Sequence, residues 1–235
     1  MKNAMACIGL AALVSASAMA EVSVSNYEDL SEGSLGNGDF YYNGVTYTGQ
    51  NSVDGIYPDG NPFDAGGDGF NSLGNEIIVE NANFFFDEFS EFGSRRNVLT
   101  FGRAFVPGDN LSLGALSTVT MQLDQSADFA SIDVGYLENG PWGGIVFHFE
   151  ASLGGVVVDT DTFTVSDLGG RDNGAFQEMS VGGVEFDSLQ LFATYQGQFT
   201  APRVIIDDLT VNTVPAPGSM ALLLGAGAAL TRRRR

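Results

Sequence analysis

The sequence predicts an all-β domain, an antiparallel β-sandwich, flanked by an N-terminal signal peptide and a C-terminal hydrophobic helix. Three observations point there. No stretch between Glu21 and Thr213 holds a long helical period, short runs of alternating or β-branched residues recur instead, and clusters of Gly, Asn, Asp and Pro separate the runs. No unit of roughly 20 to 50 residues repeats, which speaks against a solenoid or propeller.

In chain order the strand-like runs are VTYT at 45–48, EIIVE at 76–80, NVLTFGRAF at 97–105, STVTMQL at 117–123 and ASIDVGYL at 130–137. GIVFHFEA at 144–151, VVVDTDTFTV at 156–165, VEFDSLQLFAT at 184–194 and RVIIDDLTV at 203–211 complete the set. Turn residues such as Glu138-Asn139-Gly140-Pro141 lie between them. One helical turn is expected in FFFDEFSEF, where Phe85, Phe89 and Phe92 share a helical face. The Phe residues at strand spacing are expected in the core.

The first 20 residues read as a secretory leader. Lys2 supplies the positive end, Ala4 to Val14 the apolar run, and Ala18-Met19-Ala20 the small-x-small site, with cleavage expected before Glu21. Such a run is shorter than the roughly 20 residues a spanning helix needs. The sole cysteine, Cys7, lies in this leader, so the mature domain is expected to use neither a disulfide nor a thiolate.

Residues 214–235 read as a sorting tail in three parts. Pro215, Ala216 and Pro217 hold the approach extended, an apolar run follows from Met220 to Leu230, and Arg232, Arg233, Arg234 and Arg235 hold the end cytoplasmic. From Gly218 to Thr231 a helix covers about 20 Å against a hydrocarbon core of roughly 30 Å, which suits a transient stop in the inner membrane. The layout resembles the PEP-CTERM sorting signal. That resemblance implies signal peptidase and export machinery, then an exosortase-type membrane protease, as partners, and a destination at the cell surface or in the extracellular matrix. Ala216 stands where the family usually has Glu.

Between the ends lies one domain, 21–213. It keeps five arginines, no lysine and all 29 acidic residues, a net charge of −24. A surface this acidic repels phosphate backbones, so nucleic acid is excluded as a partner. The opening NYEDLSEGSLGNGDFYYNGVTYTG and the closing VEFDSLQLFATYQGQFTAPRVIIDDLTV resemble the first and last portions of the jelly-roll domains of PEP-CTERM proteins and, more distantly, of carbohydrate-binding modules. The resemblance implies that the first and last strands are neighbours and that a structural Ca2+ joins them through Glu28 and Asp207. Strand alternation is expected to put Ile205, Asp207, Leu209 and Val211 on one face, where a buried acid needs a partner. Asp64, Asp68 and Gly69 match an EF-hand loop only in part, because Gly66 and Asn75 occupy two ligand positions.

Catalytic motifs are missing. The sole histidine, His148, shares a strand face with Val146 and Glu150, and neither a Gly-x-Ser-x-Gly elbow nor an HExxH pair is present. The remaining catalytic route is a carboxylate pair, as in a glycan hydrolase or lyase. The favoured reading is a noncatalytic envelope or matrix protein that binds polysaccharide, with Trp142 and Tyr57 as stacking candidates. A purely structural matrix component is the third reading.

Overall fold

The computed structural model describes residues 20–35, 38–51, 55–56, 62–63, 77–81, 97–101, 116–137, 144–165, 174–200 and 204–214. All but Ala20 fall in one compact unit, Glu21–Val214. The chain is all-β, and no helix occurs among the described residues. The turn expected in FFFDEFSEF, the loop with Asp64, Gly66, Asp68 and Asn75, the leader up to Met19 and the tail from Pro215 lie outside them.

Two long strands organise the rest. β9 is Leu116–Leu137 and β12 is Gly174–Tyr195, and they pair antiparallel along most of their length. The runs at 117–123 and 130–137, read as separate strands, are the two ends of β9. Register shifts between Gly182 and Phe186 and between Phe186 and Ser188, opposite Phe129, Ala127 and Gln122, divide the ribbon into two halves.

In the first half, the ends Leu116–Leu123 of β9 and Phe186–Tyr195 of β12 lie between two hairpins. β10 (Ile145–Leu153) and β11 (Val156–Thr164) extend the sheet beyond β12, and β4 (Val45–Asn51) and β3 (Phe40–Tyr42) extend it beyond β9. In the second half, β14 (Val204–Thr213) pairs with Ala127–Tyr136 of β9. The far edge of β14 carries β1 (Val22–Ser25) at one end and β8 (Asn97–Phe101) at the other. Beyond β8 come β7 (Ile78–Asn81) and the short β2 (Gly33–Ser34), while β5 (Gly55–Ile56) pairs with β6 (Pro62–Phe63) and β13 (Gln198–Thr200) pairs with the end of β12. The first and last strands of the unit are therefore neighbours, with Val22 opposite Asn212.

Alternation sets the core. In β10, Ile145, Phe147, Phe149 and Ala151 are buried while Val146, His148 and Glu150 are half-buried on the other face. One cluster collects Phe147, Met121 and Leu191 from the first half with Ile132, Val134, Ile206 and Leu99 from the second. Fully burying such a side chain contributes about 1.5–3 kcal/mol.

The expected face of β14 needs correction. Val204 and Ile206 belong to the core cluster together with Leu209 and Val211, whereas Ile205 and Asp207 point the other way. Between Asp207 and Thr210 the strand holds one more residue than its partner segment Ser131–Asp133, and Asp208 takes a positive φ of 46°. This β-bulge inverts the alternation, so Ile205 and Asp207 share no face with Leu209 and Val211.

Each half turns one of its edges towards the other: β11 in the first, and the segment Gly174–Gly182 of β12 in the second, which pairs with β9 alone among the described residues. Two carboxylates join these edges. Asp159 Oδ2 accepts from Gly182 N at 2.8 Å. Asp161 accepts from Ser180 N at 2.8 Å and from Thr162 N at 2.7 Å. Removing such an acceptor leaves a partly buried N–H without its partner. Asp159→Ala is therefore expected to lower unfolding free energy by about 1–3 kcal/mol in urea titration, with the m-value unchanged.

Candidate functional site

The outer face of the first half bears three rows of polar and aromatic side chains. Cross-strand pairing aligns Thr162, His148, Phe192 and Thr118 in one row. The next row holds Thr160, Glu150, Gln190, Thr120 and Thr48, and Thr48 Oγ1 donates to Asp39 Oδ1 at 2.8 Å. A third row runs through Ser152, Ser188, Gln122, Thr46 and Tyr41. These positions alternate with the core positions Phe149, Leu191, Met121 and Tyr47, so strand period alone directs them outward.

Phe192 and His148 form the aromatic centre of this face. Their rings stack in parallel, with centroids 4.7 Å apart and planes 6° from each other. His148 Nε2 lies 2.8 Å from Thr194 Oγ1, which fixes the imidazole. Burial lowers the His148 pKa below its ordinary value, and Glu150 opposes the shift. The ring is neutral at neutral pH, and with Phe192 it offers an apolar, immobilised surface among hydroxyl and amide groups.

Phe192 corrects the expectation that Phe residues at strand spacing are core. It is half-buried on the outer face, and Phe129 and Phe176 are also exposed, at 41% and 42%. The signal was present in VEFDSLQLFAT: Leu189, Leu191 and Ala193 take the inner positions, which leaves Phe192 to the outer ones. The other stacking candidates, Trp142 and Tyr57, lie outside the described residues. So do Ala18, Pro215, Ala216, Pro217 and the four arginines, Arg232 to Arg235, whereas Ala20 is described and exposed.

The seam of the first and last strands gathers a second group. Tyr27 (φ 56°) opens a turn closed by Leu30 N donating to Tyr27 O at 3.0 Å. Asn97 locks that turn: its Nδ2 donates to Leu30 O at 2.9 Å, and its backbone N donates to Glu28 Oε1 at 3.2 Å. Asp207 is fully buried, and its Oδ1 accepts from Asp208 N at 2.8 Å. Burial, and then the Glu28 charge, raise the Asp208 pKa. The Glu28 charge thus reaches Asp208, the chain neighbour of Asp207. Among the described residues, no group of three His, Cys, Asp or Glu side chains is placed to hold a metal.

Beside the seam, the Tyr27 and Tyr47 hydroxyls meet at 2.9 Å in full burial. Desolvation is the main cause that raises both phenols, and it helps push Tyr42, which donates to Asp29 Oδ1 at 2.5 Å, up to about 12. All three stay protonated at physiological pH; Tyr42 donates to Asp29, and within the Tyr27–Tyr47 pair one hydroxyl donates to the other.

No protein family matches the chain, and no curated protein matches it. Among solved structures it is similar to the K2 cleaved adhesin domain of Lys-gingipain, at 11% identity and TM-score 0.45, over 82% of this chain and 98% of that one. It is also similar to a carbohydrate-binding module specific for non-crystalline cellulose, CBM28, at 14% identity and TM-score 0.34, over 59% and 82%. A third is the CBM22-1 xylan-binding domain of Paenibacillus barcinonensis Xyn10C, at 14% identity and TM-score 0.33, over 82% and 94%.

The lowered His148 pKa has a signed consequence. The folded state binds this proton less readily than the unfolded chain, so the contribution is complete above 6.5, the ordinary value, and is lost as pH falls through the folded pKa beneath it. As the sole histidine, it gives one imidazole resonance whose NMR titration midpoint is expected below 6.5. His148→Gln should flatten the stability change between about pH 7 and pH 5; a midpoint above the ordinary value would refute the assignment.

Proposed function

We propose that this chain is an exported, noncatalytic glycan-binding protein whose two sheet halves are the layers of a jelly-roll β-sandwich. The observation that carries the reading is the outer face of the first half. A sugar's apolar face stacks on a ring such as Phe192, while its hydroxyls meet the surrounding Gln190, Thr120, Thr48 and Gln122. His148 holds Phe192 by stacking and leaves no charge to desolvate.

The same face argues against a glycan hydrolase. Its row from Glu150 to Asp39 passes through Gln190, Thr120 and Thr48, four strand spacings or about 19 Å. Hydrolysis by a carboxylate pair needs about 5 to 9.5 Å. Within this row, Glu150 and Asp39 are too far apart to share one glycosidic bond.

The address is part of the proposal. Cleavage after Ala20 and the PEP-CTERM-like layout from Pro215 to Arg235 support export, a transient inner-membrane stop, exosortase-type processing, and a final place at the cell surface or in a polysaccharide matrix. A structural Ca2+ at the seam also belongs here. Glu28 and Asp207 carry hard oxygens of the kind calcium prefers, with backbone carbonyls or water needed to complete the shell, and the like charge that Glu28 places on half-buried Asp208 is what a cation would relieve.

Phe192→Ala is expected to weaken binding to soluble polysaccharides in affinity electrophoresis or calorimetry by about tenfold or more, with thermal unfolding little changed. Binding at full strength by that variant would remove the outer face from the reading. Calcium should raise the melting temperature of the chain, and Asp207→Ala should abolish the increase; identical melting with calcium and with chelator would dismiss the metal.

A further inference from the structure

We infer that the bend of the sheet carries a second ligand site, a groove that takes an ammonium-bearing sugar and begins at Tyr41, the end of the outer face's third row, away from Phe192. The groove, of about 260 Å³, lies where the β3–β4 hairpin, the break in β9 and the ends of β1 and β14 meet. Val45, Leu123 and Val211 contribute apolar lining. Its polar wall is made by Glu21, Ser23, Tyr41, Asn43, Asp124 and Thr213.

The donors of that wall are engaged within the protein. Tyr41 Oη donates to Asp124 Oδ2 at 2.7 Å, and Asn43 Nδ2 donates to Val24 O at 2.9 Å. Ser23 Oγ donates to Asn43 O at 3.3 Å, and Thr213 Oγ1 to Glu21 O at 3.1 Å. What the wall offers a ligand is mainly acceptors, since each carboxylate has about four lone-pair positions and Tyr41 occupies one of Asp124's. Gln125, at the rim, supplies the remaining side-chain amide. A ligand that donates hydrogen bonds is therefore favoured over one that accepts them.

Charge narrows the class further. No Lys or Arg occurs among the described residues, so no described side chain neutralises Asp124, while cleavage before Glu21 would set an α-ammonium beside the Glu21 carboxylate. A uronate or phosphate would face the Asp124 carboxylate, whereas an ammonium would be drawn to it. Tyr41 completes the match: its ring is 59% exposed, its hydroxyl is tied to Asp124, and its face attracts a cation while stacking a sugar ring. An amino sugar presents the donor, the charge and the apolar face together.

Calorimetric titration of the full chain at about pH 6, where the amine is protonated, tests this with glucosamine, glucose and glucuronate. Glucosamine should bind about tenfold or more tightly than glucose, and glucuronate weakest. Tyr41→Ala should lose about tenfold for glucosamine. Asp124→Asn retains an acceptor for the Tyr41 hydroxyl but removes the charge, so it should bring glucosamine down towards glucose. Equal binding of glucosamine and glucose, binding of neither, a preference for glucuronate, or an undiminished amine preference in Asp124→Asn would each overturn the inference. Phe192→Ala separates the two sites: the groove requires its amine preference to survive that change, and loss of the preference would move amine recognition to the outer face.

Discussion

Everything in this fold hangs on the pairing of β9 with β12 across both halves. A straight strand of 22 residues would extend about 70 Å, while a domain of about 190 residues has a radius of gyration near 16 Å. The ribbon has to turn, and both strands have to turn at the same place or lose their ladder. Gly182 and Phe129 mark that place. A Cβ on Gly182 would sit 3.0 Å from the Asp128 carbonyl oxygen and 3.1 Å from the Phe129 ring, and the next residue, Gly183, takes a φ of 83°. Close approach and left-handed backbone together explain a Gly-Gly pair in the middle of a strand.

Turning the ribbon determines where polar groups must go. It leaves the free edges β11 and β12 within reach of each other, and Asp159 and Asp161 satisfy amides there. Lysine, a common guard of exposed edges, is absent from the domain. Carboxylates act on other backbone amides as well: Asp187 Oδ2 accepts from Gly154 N at 3.0 Å, and Glu28 Oε1 accepts from Asn97 N. Part of the net charge of −24 is thus structural rather than solvated, because an acceptor with two oxygens can serve two donors at once, as Asp161 does.

Element type was legible wherever alternation ran unbroken. In GIVFHFEA the Ile-Phe-Phe-Ala face and the Val-His-Glu face separate as the period of two requires, and the structure keeps that division. Phase was not legible across a bulge. One added residue near Asp208 reverses every side chain beyond it, and nothing in VIIDDLTV specifies the extra residue without the partner strand. The continuity of β9 was hidden for the same reason, since the polar stretch Asp124–Asp128 that separates its ends has the composition of a turn. Adjacency of the first and last strands was accessible only through resemblance to known jelly rolls, because pairing between residues some 190 positions apart leaves no local trace. The aromatic centre was misassigned because composition marks Phe as core, while the phase set by Leu189, Leu191 and Ala193 turns Phe192 outward.

The electrostatics of the domain bear on both proposed sites in one direction. Acidic polysaccharides meet a repulsive field before any contact forms, and that field weakens only over a Debye length of about 8 Å at physiological ionic strength. Around Phe192 the face presents rings, hydroxyls and amides with a neutral imidazole, a chemistry suited to uncharged sugars, and its acids Glu150 and Asp39 add to the repulsion of anionic ones. The groove instead exploits the field through Asp124 beside an exposed phenol. In the proposed reading, a domain so depleted of basic residues holds neutral glycans by stacking and cationic ones by charge, and its field selects against anionic polymers.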